Sequence, residues 1–333
     1  MQAMVLRKPD KIENNPLQIG DVSKPEIGSK DILVRVQACG ICHTDLHTVE
    51  GELPLPRLPI IPGHQVVGIV EKKGAEARRF NLGDRVGIAW LNSTCRKCEF
   101  CKSGRENLCE NAEFTGYHKD GGYAQYTVIS EDFAYAVPET FSAVDAAPLL
   151  CAGIVGYRSL RLSEIKPGQR LGLYGFGASA HIVIQIARFW KCEVYVFTRS
   201  LEHQKLAQEL GAVWAGKAEQ IPGKKLHSSI IFAPAGELIP YALKTLDRGG
   251  TLALAGIYMT PIPQLDYMEH LYYEKTLRSV SNSTRKDGQE LLKLAAEIPI
   301  RTQVTFFALK EANHALQLLK QGKINGAGVL KVE

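Results

Sequence analysis

Two stretches of this sequence hold side chains at spacings suited to chemistry. Cys39-Gly40-Ile41-Cys42-His43-Thr44-Asp45-Leu46-His47 packs two thiols, two imidazoles, a hydroxyl and a carboxylate into nine residues. Thiolate and imidazole are preferred zinc ligands. A thioredoxin-type Cys-x-x-Cys redox pair and ordinary buried cysteines are the alternatives for the same stretch. The second, Cys95-Arg96-Lys97-Cys98-Glu99-Phe100-Cys101 with Cys109 beyond, is sharper. Four thiolates close a tetrahedral shell around zinc and leave no open position, so a site of this kind is structural and orders a lobe too small and polar to hold itself together. A disulfide or redox cluster is the competing reading. Eight cysteines stand at 39, 42, 95, 98, 101, 109, 151 and 192, four of them within fifteen residues, and in a reducing compartment such clustering favours metal.

The elements that must position these groups alternate in type. The run Ile32-Leu33-Val34-Arg35-Val36 reads as a strand opening into a loop that carries the first cluster. Leu53 to Pro62 holds four prolines and predicts a stiff, irregular segment that delivers Gly63-His64-Gln65. Val66 to Val70 and Arg85 to Ala89 read as short strands, so the first part of the chain is expected to be a barrel-like β domain. Ser142 to Leu162 reads as helical. Arg170-Leu171-Gly172-Leu173-Tyr174 then predicts a strand, Gly175-Phe176-Gly177-Ala178-Ser179-Ala180 a glycine turn, His181 to Trp190 a helix and Glu193 to Thr198 a strand. That βαβ pattern is of the dinucleotide-binding kind: bare backbone at the turn lets a pyrophosphate reach the free N–H groups of a helix N-terminus. Ser229 to Ala233 and Gly250 to Gly256 predict further buried parallel strands. A helix over Glu290 to Ala296, a strand at Val304-Thr305-Phe306, a helix over Lys310 to Lys320 and a last strand, Gly328 to Val332, complete the chain, the last returning to the first domain.

At 333 residues two domains are the default expectation. With 45% hydrophobic and 23% charged residues the composition is that of a globular protein. The net charge of +5 is small, and Lys and Arg are scattered rather than interleaved with aromatics, which argues against a nucleic-acid partner. No apolar run reaches the length of a membrane span, and Met1 to Asp10 lacks a signal-peptide core, so no membrane partner and a cytoplasmic location are expected.

Taken together, the Cys-His-Thr-Asp-Leu-His run, the Gly63-His64 pair, the four-cysteine lobe, Cys151 and the glycine turn resemble the zinc-dependent alcohol dehydrogenases of the medium-chain dehydrogenase/reductase superfamily, over essentially the whole chain. Trp90-Leu91-Asn92 looks like the microbial ethanol-type branch. The resemblance implies an α/β plus β architecture: a discontinuous GroES-like catalytic domain over 1–150, with a zinc lobe at 91–112 and a return over 286–333, and a Rossmann cofactor-binding domain over 151–285. It implies a catalytic zinc held by Cys42, His64 and Cys151 beside the structural zinc of Cys95, Cys98, Cys101 and Cys109, two ions per chain. Asp45 would hold the other ring nitrogen of His64, Thr44 and His47 would relay a proton to solvent, and Trp90 would line the substrate pocket. The cofactor would meet His43, Gly175, Gly177, Ala178 and Ser179. Small alcohols and aldehydes are the implied substrates, and a homodimer or homotetramer the implied assembly. Cys39 and Cys192 are read as packing.

Three positions depart from the family pattern. Gln65 follows the ligand histidine where most members have Glu, so zinc is expected to stay more electrophilic. The acidic residue that would hold the ribose hydroxyls of NAD is absent; Thr198-Arg199-Ser200 stands there, suited to a 2′-phosphate, so NADP(H) is favoured over NAD(H). Asn325-Gly326-Ala327-Gly328 replaces a segment that often carries a pyrophosphate-binding Arg, for which Arg285 is the substitute. A zinc-free reductase of activated double bonds and a thiol-rich zinc or redox sensor are the competing functions.

Overall fold

A computed structural model describes residues 1–298 and 300–332. The chain divides into two compact units. The first comprises residues 1–151, Thr284–Glu297 and the segment from Arg301 onward; the second comprises Ala152–Ser283 with Ile298 and Ile300. Cys151 therefore belongs with the first unit, and the chain returns to that unit at Thr284.

The first unit is built on a seven-stranded sheet. Its order is Val304–Ala308, Ala327–Lys331, Asp31–Gly40, Gln65–Lys73, Arg85–Ile88 and Ala134–Ala136, with Tyr126–Ser130 also pairing with Asp31–Gly40. Ile32, Val34, Val36 and Ala38 alternate onto the buried face, where branched side chains pack well on a pleated surface. Asp31–Gly40 and Gln65–Lys73 run antiparallel with Gly40 opposite Gln65. That register brings the residues just after one strand and just before the other, Cys42 and His64, to the same end of the sheet. The closing strand Ala327–Lys331 lies on the other side, Val329 opposite Gly40.

The second unit is a six-stranded parallel sheet ordered Trp214–Gly216, Glu193–Phe197, Arg170–Tyr174, Leu226–Ile231, Leu246–Leu254, Thr276–Ser279. In sequence order within the unit that is 3-2-1-4-5-6, the doubly wound arrangement. Leu171, Leu173, Val194, Val196, Ile230 and Ile231 are fully buried, as strands covered on both faces require. The strand order reverses between Arg170–Tyr174 and Leu226–Ile231, where such sheets bind ligands beyond the strand ends.

Three expectations are corrected. The reactive nine-residue stretch is not an open loop, because a helix starts at His43 and runs to Glu50. Ser142–Leu162 is not one helix: Ala143–Ala146 gives way to a 3-10 turn at Ala147–Leu150, and Ala152–Leu162 begins anew. Pro148 cannot donate a helical hydrogen bond, and Cys151 sits in the break at φ −132°, ψ −69°. The helix expected over Glu290 to Ala296 starts earlier, at Arg285. The Thr284 hydroxyl accepts from Asp287 N, while the Asp287 carboxylate accepts from Thr284 N and Oγ1, a capping pair legible in Thr-x-x-Asp.

Candidate active site and metal centres

Cys42, His64 and Cys151 converge. Their ligand atoms all lie within 4.8 Å of one another. Cys42 Sγ stands 3.9 Å from Cys151 Sγ, and His64 Nε2 stands 3.3 Å from Cys151 Sγ. A tetrahedral zinc with sulfur at about 2.3 Å and nitrogen at about 2.0 Å separates two sulfurs by about 3.8 Å and sulfur from nitrogen by about 3.5 Å. The donor set fits the ion. Each ligand has its own structural cause: Cys42 precedes the first helix, Cys151 occupies the helix break, and His64 follows Gly63, whose φ of +99° favours glycine.

Behind the donors lies Asp45, 1% exposed. Its Oδ1 accepts from His64 Nδ1 at 2.8 Å and Gly63 N at 3.3 Å; its Oδ2 accepts from Cys42 N at 2.9 Å and the Tyr123 hydroxyl at 3.3 Å. A carboxylate only accepts, so the His64 proton is on Nδ1 and the Nε2 lone pair is left for a metal. Burial opposes charge on His64, but the Asp45 carboxylate outweighs it and raises the imidazole to about 10. A hydrogen bond from the Cys151 thiol holds Cys42 well below the usual thiol range, and the same contact pushes Cys151 up. A metal cation binding here would displace the proton that Asp45 favours on His64 and the proton left on the Cys151 thiol. Asp45 is thus both the partner of His64 and, through Cys42 N, a cap of the helix that starts at His43.

Thr44 Oγ1 lies 3.7 Å from Cys42 Sγ, and Thr44 is buried. His47 is one turn further along the helix, its Nδ1 hydrogen-bonded to the Glu52 carboxylate. Glu52 lies outside the sequence reading, because a partner five residues away across a helix end has no periodic signal. His43 is exposed, its ring 6.5 Å from that of His47. The Trp90 indole stands edge-on to the His64 ring at 4.9 Å and is stacked on Phe114 at 4.9 Å. Phe114 and Tyr117, whose ring is 5.8 Å from Trp90, complete a wall the sequence did not reveal. Gln65 is 3% exposed, its side chain lying over Gly40 so closely that a Cβ there would stand 2.9 Å from the amide carbon. Cys39 and Cys192 are fully buried.

The four cysteines of the lobe also lie within 4.8 Å of one another. Cys95 Sγ stands 3.9 Å from Cys101 Sγ, and backbone N–H groups of Cys95, Cys98 and Cys101 point at Cys109, Cys95 and Cys98 sulfurs at 3.4–3.5 Å. Backbone N–H groups of Lys97 and Cys98 lower the Cys95 thiol to about 6. N–H groups aimed at sulfur stabilise thiolates, and the set fits a closed zinc site. Arg285 serves this region: its N and Nε donate to buried Glu106 at 3.1 and 3.3 Å, and its guanidinium lies 4.8 Å from the Phe133 ring. The guanidinium for which the resemblance implied a pyrophosphate role is thus engaged within the first unit.

In the second unit Gly175 has φ +85°, with a would-be Cβ 3.0 Å from Ala233 N, and exposed Gly177 precedes the twelve-residue helix Ala178–Phe189. Ala178 and Ser179 form its first turn, where free N–H groups and the helix dipole favour an anion. Thr198, Arg199 and Ser200 follow Glu193–Phe197. Thr198 N donates to Gly216 O, the Ser200 hydroxyl accepts from His203 N at 3.3 Å as a helix cap, and Arg199 is exposed.

The chain matches the alcohol dehydrogenase GroES-like domain over residues 28–139 and the zinc-binding dehydrogenase domain over residues 180–297. It is 46% identical to the "Probable alcohol dehydrogenase AdhA" of Mycobacterium tuberculosis, covering 100% of this chain and 97% of that one. It is 38% identical to an alcohol dehydrogenase of Geobacillus stearothermophilus, covering 96% and 97%. The fold matches a cinnamyl alcohol dehydrogenase of Sorghum bicolor with TM-score 0.90 at 28% identity, covering 99% and 97%. It also matches the crystal structure of CAD from Helicobacter pylori complexed with NADP(H), with TM-score 0.89 at 26% identity, covering 99% of each. The chain belongs to the zinc-type alcohol dehydrogenases of the medium-chain dehydrogenase/reductase superfamily. It is a zinc- and NAD(P)-dependent oxidoreductase that interconverts alcohols with aldehydes or ketones.

Proposed function

We propose that this chain is a two-zinc dehydrogenase of small primary or secondary alcohols that prefers NADP(H) and works in the direction of aldehyde reduction. The observation that carries the reading is the convergence of Cys42, His64 and Cys151 with Asp45 behind His64. Zinc held there by three ligands keeps one position open and supplies the Lewis acidity that makes an alcohol hydroxyl acidic. Everything else falls to this chain's side chains. Thr44, beside Cys42, and His47, with Glu52 holding its Nδ1, form a proton relay: the Thr44 hydroxyl receives a proton as it passes on its own, inward from solvent when an aldehyde is reduced and outward when an alcohol is oxidised. A nicotinamide bound to the second unit would supply or accept the hydride of the alcohol carbon. Trp90, backed by Phe114, limits substrate size.

In this reading the first unit is the catalytic domain and the second the cofactor domain, with the pyrophosphate at Gly175–Ser179 and the 2′-phosphate at Thr198–Ser200. Ser200 already caps a helix, which leaves Arg199 as the principal phosphate ligand. The four-cysteine lobe holds the structural zinc. A cytoplasmic homodimer or homotetramer completes the proposal; among the described residues no helix is long and apolar enough to cross a membrane.

Zinc content per chain, measured with initial rates on ethanol and acetaldehyde using each cofactor, tests the proposal. Two zincs, turnover abolished by chelation and higher kcat/KM with NADP(H) are expected. One zinc without turnover would mean the Cys42 site does not assemble, and equal or better efficiency with NAD(H) would remove the cofactor assignment.

A further inference from the structure

Tyr123 lies directly behind the Cys42–His64–Cys151 cluster and has no part in the reaction described above. It is 0% exposed. Three features of its setting point the same way.

Its hydroxyl donates to Asp45 Oδ2 at 3.3 Å, while Asp45 Oδ1 accepts from His64 Nδ1 at 2.8 Å. The phenol is thus linked to the imidazole whose Nε2 faces the sulfurs by two hydrogen bonds through one carboxylate. Its ring also seals the segment that carries His64. A Cβ on Gly63 would stand 2.3 Å from Tyr123 Cδ1 and 2.9 Å from Cys39 Sγ, so the backbone before His64 has no room to shift on that side. The main chain adds a third hold: Gly121 N, Gly122 N and Tyr123 N donate to Ile61 O, Gly63 O and Pro62 O at 2.7, 2.8 and 3.0 Å.

We propose that Tyr123 is a positioning residue for the metal site: its ring sets the Gly63–His64 backbone and its hydroxyl sets the Asp45 carboxylate, so that His64 Nε2 is aimed at the ion before the ion arrives. The proposal rests on the metal reading of Cys42, His64 and Cys151. Core packing alone would be met by Phe. A hydroxyl buried this deeply costs free energy unless it is bonded, and its partner is the one carboxylate that orients the ligand. Burial and the Asp45 charge raise the phenol well above its ordinary value, so it remains a donor throughout the working range.

The test uses the intact zinc-loaded enzyme and the isosteric Tyr123→Phe variant. Zinc release to a chromophoric chelator is followed over time, together with the visible spectrum of enzyme carrying Co(II) in place of zinc. Partners outside the ligand shell typically change metal affinity 10–100-fold. Tyr123 stands one layer further out through a long hydrogen bond, so about a threefold to tenfold faster release from the Cys42 site is expected. Release from the four-cysteine site should stay unchanged, and the cobalt bands of the Cys42 site should shift. In an Asp45→Asn background Tyr123→Phe should add little. Unchanged release and bands, equal acceleration of both sites, or additive effects of the two substitutions would each overturn the proposal. If the wild type releases only the four-cysteine zinc, the metal reading itself fails, and that is seen before any variant is compared.

Discussion

Asp45→Asn strikes the one group on which four donors converge. Oδ1 receives Gly63 N and His64 Nδ1, and Oδ2 receives Cys42 N and the Tyr123 hydroxyl. An asparagine has a single acceptor oxygen, so in either orientation its NH2 faces two groups that also donate. Each unsatisfied buried donor costs about 1–3 kcal/mol. The Tyr123 hydroxyl can rotate away, which puts the loss in stability at roughly 2–4 kcal/mol. At the metal, losing the partner of a ligating histidine weakens binding about 10–100-fold. The assay is dialysis against graded chelator with zinc counted per chain, alongside the thermal transition. The Asn variant should lose one zinc at about tenfold or more lower chelator strength than wild type and keep the other. If both zincs are held as tightly as in wild type, Asp45 does not hold His64 and the geometric argument is wrong.

Three further outcomes follow from particular contacts. His181 is 1% exposed and burial lowers it to about 4, so between about pH 6.5 and 4 the unfolded chain binds a proton that the folded one refuses. Its contribution is complete above pH 6.5 and is lost as pH falls; at pH 5 wild type should have lost about 2 kcal/mol that His181→Leu does not lose, read from urea unfolding of the two at pH 7 and pH 5. Arg285→Ala leaves Glu106, 6% exposed, without its cationic partner and should cost about 1–3 kcal/mol in chemical unfolding while the KM for the cofactor stays unchanged; a raised KM without destabilisation would restore the pyrophosphate role. Arg199→Ala should raise the KM for NADP about tenfold or more and leave that for NAD little altered in steady-state kinetics, and equal changes would place the 2′-phosphate elsewhere.

The sequence by itself determined those features whose partners lie close along the chain. Cys95, Cys98, Cys101 and Cys109 are near enough that spacing alone predicts a shared ion, and the run Arg170 to Thr198 predicts strand, turn, helix and strand from periodicity and glycine placement. Such signals are local, and local backbone geometry realises them. The Cys42, His64 and Cys151 grouping entered through family resemblance, since no spacing relates residues 87 positions apart. Tertiary structure brings them together by the Gly40–Gln65 register and by the break after Pro148 that turns Cys151 out of a helix. Beyond the His64–Asp45 pairing that the resemblance implied, only the fold decided the partners of these groups: the three other donors on Asp45, Glu52 on His47, Phe114 beneath Trp90, Glu106 on Arg285. Each contact depends on which strand lies beside which and in what register, and hydrogen bonds between distant segments leave no periodic trace in the residues that make them.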